Sequence, residues 1–464
     1  MLENPKENLQ SSSIEETCFW LATHAQEPCP ALEQSLRCDI AIAGAGFTGL
    51  WTALFLKELS PETNVVVLEQ GIAGYGGSGR NAGILGETID HSHALAVAHF
   101  GWEEARRLAV FGQQNVEEMA AYLAVSGIDC DFERTGRLSV ALTPSQVEEA
   151  KHSIEIAEQL GISNTRFQSA EEMRNELDSP LYLGGTSMPG GGILNPVKLV
   201  DGLKRTALKL GIRIFERTTV RKVEGAKILT DAGAVWADRV ILATDAFTHH
   251  LFPQLLRRFI PLYDYILVSE PLTIEQLSAI GWRNRQGVTD GRTFFNYYRL
   301  TADDRILWGT SEAMYYSPNR VDASCDHSEP HYAALRESFR RHFPQLSSLK
   351  FEYAWGGPIA STTRLTPFFG SLNQGRILYG LGYTGHGIGS TRIGGKILAH
   401  LALERPSELL DLAMVRKKPF PYPPEPVRSI AVKAVTESLR KVDAGNKPDV
   451  LLRFLDRIGI GFSS

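Results

Sequence analysis

Residues 38–59 read CDIAIAGAGFTGLWTALFLKEL. The short apolar run Asp39–Ala43, ending at a glycine, predicts a buried parallel strand. Phe47–Leu59 predicts a helix, and Asn64–Leu68 a second, β-branched strand, so the segment opens a βαβ unit. Gly44, Gly46 and Gly49 sit between strand and helix as G-x-G-x-x-G. In a chain with 42 glycines this spacing alone says little, but in this strand–turn–helix context it is a dinucleotide fingerprint. Gly44 permits the tight turn. Gly46 lets the backbone approach a pyrophosphate, which rests on the helix N-terminus at Phe47 and Thr48. Gly49 lets the helix pack close to the strand. Glu69, 20 residues beyond Gly49 and followed by Gln70, ends the second strand. Its carboxylate can accept hydrogen bonds from ribose hydroxyls and would repel a 2′-phosphate.

A second loop says which dinucleotide. GYGGSGRNAG, residues 74–83, begins five residues after Glu69. A nicotinamide dehydrogenase has no use for such a loop there. A flavin does, because its ribityl chain and ring extend from the pyrophosphate into the protein. Gly76, Gly77 and Gly79 permit close backbone approach. Ser78, Arg80 and Asn81 offer donors to phosphate, ribityl and ring oxygens, and Ala82 and Gly83 complete the loop. Near the C-terminus, GLGYTGHGIG at 380–389 is another glycine-dense turn before a helix. Gly382, Gly385, His386, Gly387 and Ile388 could lie against a flat ring, with the helix N-terminus stabilising negative charge on its N1–C2 carbonyl edge. Two such distant turns converging on one ligand favour FAD over NAD; a nicotinamide dehydrogenase is the alternative, and it fails if FAD co-purifies.

The rest of the chain sets the architecture. Helical spacing covers Glu103–Val125 and Ser145–Leu160, with a strand between them. Several strands crowd residues 260–310 in an alternation that suits an antiparallel sheet with one face covered. The expected fold is α/β: a discontinuous Rossmann-like FAD-binding domain (37–90, 190–250 and 350–405) with an inserted α+β substrate domain (91–189 and 251–349) on a largely antiparallel sheet. Residues 1–36 read as an arm on the surface and 406–464 as a helical tail. The 464 residues carry a net charge of -5, which argues against a nucleic-acid partner. No apolar run reaches the ~18 residues of a spanning helix, and the N-terminus has no secretory pattern. The five cysteines lack CxxC spacing. No metal site is expected, and a reducing cytoplasm fits best.

The motifs IAGAGFTGLWTALFL, VVVLEQ, GGSGRNAG, NPVKLVDGLKRTALKLGIRIFERTTV, VILATDAF, WGGPIASTTRLTPFFG and GLGYTGHGIGSTRIGGKILAHL span roughly residues 38–403. Together they resemble the D-amino-acid-oxidase-like FAD oxidoreductases, a family that includes glycine, sarcosine and γ-glutamylputrescine oxidases. SGRNAG and GYTGHG are most similar to the γ-glutamylputrescine-oxidase branch. The resemblance implies that Val220 meets adenine through its backbone, that Thr244 lies near the pyrophosphate turn, and that Gly357 belongs to the cofactor site. Asp245 departs from the family's usual glycine. The family's amino-acid oxidases carry an arginine that grips the substrate carboxylate, expected here near Pro358 or Ile359, where there is none. This favours an amine whose reacting carbon bears no carboxylate, with Arg364 available for a remote acid. The loop 355–370 has no cysteine for a flavin link, so non-covalent FAD is expected.

The expected reaction is oxidation of a primary or secondary amine to an imine by hydride transfer to flavin, then hydrolysis to aldehyde. Oxygen or another acceptor would take the electrons. D-amino-acid or N-methyl-amino-acid oxidation and a non-catalytic flavin-binding protein are the alternatives. His386, Tyr298, Trp355 and Arg364 are the candidates for the reacting site, with Tyr263, Tyr265, Tyr297 and Tyr383 as further aromatic walls. In the tail, Ile430, Ala434, Val435, Leu439 and Val442 form one apolar face among Arg428, Lys433, Arg440 and Lys441. It suits packing on the protein itself or a homo-oligomer contact better than a membrane surface.

Overall fold

The structure, a computed structural model, describes residues 13–457 and 459–460. Ile40–Ala43 and Val65–Leu68 are wholly buried neighbours in a six-stranded sheet. Its order is Phe368–Leu372, Ile377–Leu381, Arg239–Leu242, Ile40–Ala43, Val65–Leu68, Arg213–Phe215. Every pair is parallel except the first. The strands lack alternation because both faces are covered. Ile40, Ile42, Val65 and Val67 enter one core with the helices Phe47–Leu59, Pro196–Lys209 and Gly387–Ala402. Ala41, Ala43, Val66 and Leu68 enter another, on the opposite face, with Ile228 and Val235 of a four-stranded sheet. The two helices that follow the glycine turns cross closely: a Cβ on Gly395 would lie 2.7 Å from the Trp51 Cβ.

An eight-stranded sheet makes the second layer. Its order is Phe351–Ser361, Ile260–Pro271, Arg305–Met314, Asn296–Leu300, Gly287–Asp290, Arg137–Ala141, Gly184–Met188, Arg166–Ser169. It is antiparallel apart from the central pair Gly287–Asp290 and Arg137–Ala141. A Rossmann-like, mostly parallel sheet thus stands beside a mostly antiparallel one, as the expected α/β fold with an α+β part requires. Phe351–Ser361, placed above among the nucleotide-binding segments, pairs along its length with Ile260–Pro271. The glycines and proline in that strand hid its pairing.

Two terminal segments also differ. Residues 13–23 are not a surface arm: they form short helices whose Cys18, Phe19 and Trp20 are buried. The Trp20 Nε1–H donates to the Asn81 carbonyl at 2.9 Å. Their polar neighbours in sequence masked this anchor. In the tail, Val427–Asp443 turns Ala431, Val432, Val435 and Leu439 toward a cavity, while Ile430 and Ala434 of the expected apolar face are exposed. Among the described residues no helix is long and apolar enough to cross a membrane.

Candidate active site

A cavity of about 760 Å³ is bounded by the glycine turns, the eight-stranded sheet and the C-terminal segment. Phe47–Leu59 begins at Gly46, which has no side chain to cap it, and Gly387–Ala402 at His386, whose side chain makes no cap hydrogen bond. Both helix starts line the cavity. Two helix N-termini facing one space present positive dipole ends to an anion. The Phe47 N–H donates to Ser78 Oγ at 2.8 Å, tying the first turn to the second loop. The donor set, the bare glycine backbone and the cavity fit a flavin dinucleotide.

Of the residues predicted from sequence, Gly46, Phe47, Thr48, Gly77, Ser78, Arg80, Asn81, Ala82, Gly83, Gly357, Gly385, His386, Gly387 and Ile388 line this cavity. Gly44, Gly49, Glu69, Thr244 and Gly382 stand behind it. Gly44 has φ +104° and lies against the Ala243 carbonyl, and a Cβ on Gly49 would sit 1.9 Å from the Gly44 carbonyl oxygen. The buried Glu69 carboxylate accepts the Ala45 N–H at 2.9 Å and the Gly71 N–H at 3.0 Å. Burial raises its pKa, against those two hydrogen bonds. Thr244 Oγ1 pairs with Thr248 Oγ1. Gln70 is exposed, and Val220 lies in the four-stranded sheet; neither reaches the cavity.

Several side chains are engaged differently from the expectation. Arg80 is paired with Asp326 at 2.8 Å and also donates to the Tyr75 carbonyl, so its guanidinium braces the loop. Asn81 closes its own loop, donating to the Gly77 and Ser78 carbonyls and accepting the Gly83 N–H. Trp355 is fully buried and its Nε1–H donates to the Arg80 carbonyl at 2.9 Å. Tyr298 is buried against Trp308 with its hydroxyl 2.5 Å from that of Tyr182. Arg364 donates to the carbonyls of Lys417, Pro367 and Met414. Trp355, Tyr298 and Arg364 therefore lie outside the cavity lining. Their size and alternation fit core and wall equally well, and only the sheet's orientation separates the two. Tyr263 and Tyr265 are buried likewise, whereas Tyr297 and Tyr383 line the cavity.

His386 does reach the cavity, where its Nε2 lies 3.0 Å from Thr88 Oγ1. Its ring is 5.1 Å from that of His91, which donates from Nε2 to the Thr384 carbonyl at 2.7 Å. Burial, then the His91 and Arg137 charges, hold the His386 pKa well below the ordinary histidine range. It is neutral at physiological pH.

Sequence reasoning gave no site role to three acidic or basic groups at the cavity. Asp245, at φ +35°, accepts the Gly382 N–H at 2.9 Å and the Ala360 N–H at 3.2 Å, clamping the late turn to the strand Phe351–Ser361. Asp264 accepts the Tyr297 hydroxyl at 2.5 Å through Oδ2 and the Tyr265 N–H at 2.7 Å through Oδ1. Burial pushes the Asp264 carboxyl up to about 7, against those two hydrogen bonds. Tyr297 reaches it across the intervening strand Arg305–Met314, where Gly309 leaves room: a Cβ there would lie 2.2 Å from the Tyr297 ring. The third group, Arg137, enters from a more distant strand. Gly309, in the stretch RILWGTSE, is the one signal the sequence held.

Outside the cavity lining, Asp90 is buried and its Oδ2 has no partner among the described residues, and burial pushes its carboxyl from 3.8 to about 7. The folded chain thus binds a proton that the unfolded chain releases in this window, and the group's contribution to stability falls as pH rises through it. Asp90→Asn is expected to raise the melting temperature by a few degrees near pH 8 and leave it unchanged near pH 4, read by thermal unfolding at both.

The profile of the FAD dependent oxidoreductase family matches residues 39–401. The chain is 30% identical over 416 residues to the gamma-glutamylputrescine oxidoreductase of Escherichia coli, covering 88% of this chain and 94% of that one. It is 28% identical to a probable oxidoreductase, OrdL, of Haemophilus influenzae, over 89% and 94% of the two chains. Among solved structures, glycine oxidase from Geobacillus kaustophilus superposes with a TM-score of 0.68 at 19% identity, covering 82% of this chain and 99% of that one.

Proposed function

Because the chain belongs to the DAO family of FAD-dependent oxidoreductases, we propose that it oxidises a primary or secondary amine to an imine, which water converts to an aldehyde. One observation carries this reading: the Asp264–Tyr297 pair faces the same cavity as both glycine turns. FAD supplies the acceptor for the hydride that leaves the carbon bearing the amine. The turn 44–49, with Glu69 behind it, would hold the dinucleotide. The backbone of 77–83 and the turn 382–388 would flank the flavin, and Trp20, Trp355 and Asp326 would keep the loop rigid from behind.

Asp264 does the proton work. An aliphatic amine arrives as an ammonium, whose lone pair is tied up by the proton. The Asp264 carboxylate attracts that cation and takes its proton, while the Tyr297 hydroxyl and the Tyr265 N–H keep the carboxylate oriented. Ile260, Leu262 and Ile266, on the same face of the strand, exclude water from the deprotonated amine. His386, being neutral, adds no repulsion to the incoming cation. Pro358 and Ile359 stand where an amino-acid oxidase would carry its carboxylate-binding arginine, which favours an amine whose reacting carbon bears no carboxylate.

The sign of the pH dependence follows. Asp264 is protonated and inert below about 7 and becomes a base above it, so kcat/KM for an amine should rise as pH passes through that value. Stopped-flow reduction across the range reads this. A profile flat through neutrality, or reduction by α-amino acids in place of amines, contradicts the proposal.

A further inference from the structure

The helix Val427–Asp443 borders the cavity and is pinned to the body at both ends. At its start Arg428 donates to the Leu256 carbonyl at 3.0 Å and to Asn319 Oδ1 at 2.6 Å, and the Ser429 and Ser317 hydroxyls lie 2.7 Å apart. At its end the Asp443 carboxylate accepts the Thr293 N–H at 2.8 Å and the Phe294 N–H at 2.9 Å, and Arg440 pairs with Glu312 at 2.6 Å. Between these anchors Ala431, Val432, Val435 and Leu439 follow one another at helical spacing and line the cavity. An amphipathic helix ordinarily seats such a face on its own protein's core. Among the described residues, none of these four joins a hydrophobic core. Polar bonds hold the helix in place, and its apolar face is left to the cavity.

The sheet contributes apolar wall to the same cavity. Leu262 and Ile260 stand two and four residues before Asp264 on one strand and share its face. The nearer of them lies about 7 Å along the strand from Asp264. Ala313 lines the cavity from the neighbouring strand, between the pairs Tyr263–Met314 and Tyr265–Thr310 that bracket Asp264. Arg428, the charged residue on the helix's cavity face, spends its guanidinium on Leu256, Asn319 and the Pro423 carbonyl. The helix therefore brings apolar surface to the neighbourhood of the proton-accepting group and no charge in want of a partner. It also lies beyond residue 401, where the match to the family profile ends.

We infer that the C-terminal helix and the strand Ile260–Pro271 bind an uncharged hydrocarbon chain carried by the substrate, with Val432, Val435 and Leu439 setting the preference for it. This rests on the amine-oxidation reading above and adds the part of the substrate that does not react. Burying that chain removes apolar surface of both partners from water, which is where the affinity comes from.

The test uses the FAD-loaded enzyme and three amines with one reacting end: N-acetylputrescine, N-hexanoylputrescine and N-adipoylputrescine, the last as long as the second but ending in a carboxylate. Each buried methylene is worth about 3- to 4-fold, so wild type should reduce its flavin with a KM at least about 10-fold lower for the hexanoyl than for the acetyl compound. The adipoyl compound should lose that gain, because its charge would enter an apolar wall. Val435→Trp, which fills the space, should bring the ratio of the acetyl to the hexanoyl KM below about 3, and Val435→Thr, which keeps the shape and adds a hydroxyl, should lower it in part. Binding of N-butylhexanamide, which has the chain and no oxidisable amine, is read separately by calorimetry. It should show a negative heat-capacity change and weaken in both variants. That arm stands even if no amine reduces the flavin, a result that would remove the amine reading alone. Equal KM values for the acetyl and hexanoyl compounds in wild type would overturn the inference. So would an adipoyl KM at or below the hexanoyl one, or a ratio and an N-butylhexanamide affinity unchanged by substitution at Val435. If Val435→Trp does not fold, Val435→Thr and Val432→Thr carry the same comparison.

Discussion

Asp264→Asn is expected to slow flavin reduction by a saturating amine about 10²- to 10⁴-fold near neutral pH, the range for loss of a positioned acid–base group. The amide keeps the size of the carboxylate and can still accept the Tyr297 hydroxyl, which lies at 2.5 Å in the native chain. It cannot take a proton. The loss should therefore shrink as pH rises, because more of the amine arrives already neutral. The inflection near 7, set by burial of Asp264, should vanish. Tyr297→Phe is the companion variant. It removes a donor that favours the carboxylate, so the Asp264 pKa climbs further and the inflection moves to higher pH. Stopped-flow reduction of wild type and both variants across pH distinguishes this from a merely structural role, which would lower the rate by the same factor at every pH.

The second large effect concerns cofactor retention. Glu69→Gln should weaken FAD binding at least about 10-fold, and Glu69→Ala more, since hydrogen bonds to a charged acceptor are worth more than neutral ones. The carboxylate of Glu69 already receives N–H groups from Ala45 and Gly71, and its remaining lone pairs are what a ribose would use. An amide offers one oxygen and one NH₂, so one of those N–H groups would face another donor. The turn would loosen as the ribose contact is lost. Flavin occupancy after dialysis, measured against the thermal stability of the stripped protein, gives the answer. Full occupancy in Glu69→Ala would remove Glu69 from the cofactor site.

Much of the nucleotide-binding half was legible because each local signal has one physical meaning. Gly44 at positive φ and Gly49 against the Gly44 carbonyl have no substitute, so the turn is written in the sequence. The strands beside it are apolar on both faces and read as continuous runs. The cavity lining at 77–83 was legible as a loop, but not the way its side chains are engaged. Arg80 and Asn81 looked like ligand donors and are spent on Asp326 and on the loop's own carbonyls. That depends on partners 246 residues away in sequence for Arg80, which no local pattern reveals.

The substrate side was least legible for a related reason. Along Ile260–Pro271, Asp264 and Tyr265 are adjacent, and the sequence alone does not say which one faces the cavity. The pleat decides it: Asp264 shares a face with Ile266, which pairs with Gly309, and Gly309 leaves room for the Tyr297 ring to reach Asp264. Tyr298, one residue on, points into the core instead. Arg137 was invisible because nothing in GRLSVAL says which of its residues faces the cavity. The tail hid its function through an angular offset: the face chosen from composition included Ile430 and Ala434, whereas the chain turns Ala431, Val432 and Val435 inward.

The most direct test of the central claim, that both glycine turns and the Asp264 face enclose one FAD that oxidises amines, is anaerobic mixing of the purified protein with polyamines, N-acyl polyamines and α-amino acids while the flavin's visible band is followed. The account predicts a yellow protein whose band bleaches with the polyamine or N-acyl polyamine set and holds with the α-amino acids. A colourless protein that takes up no FAD on reconstitution, or a band that only α-amino acids bleach, would contradict it.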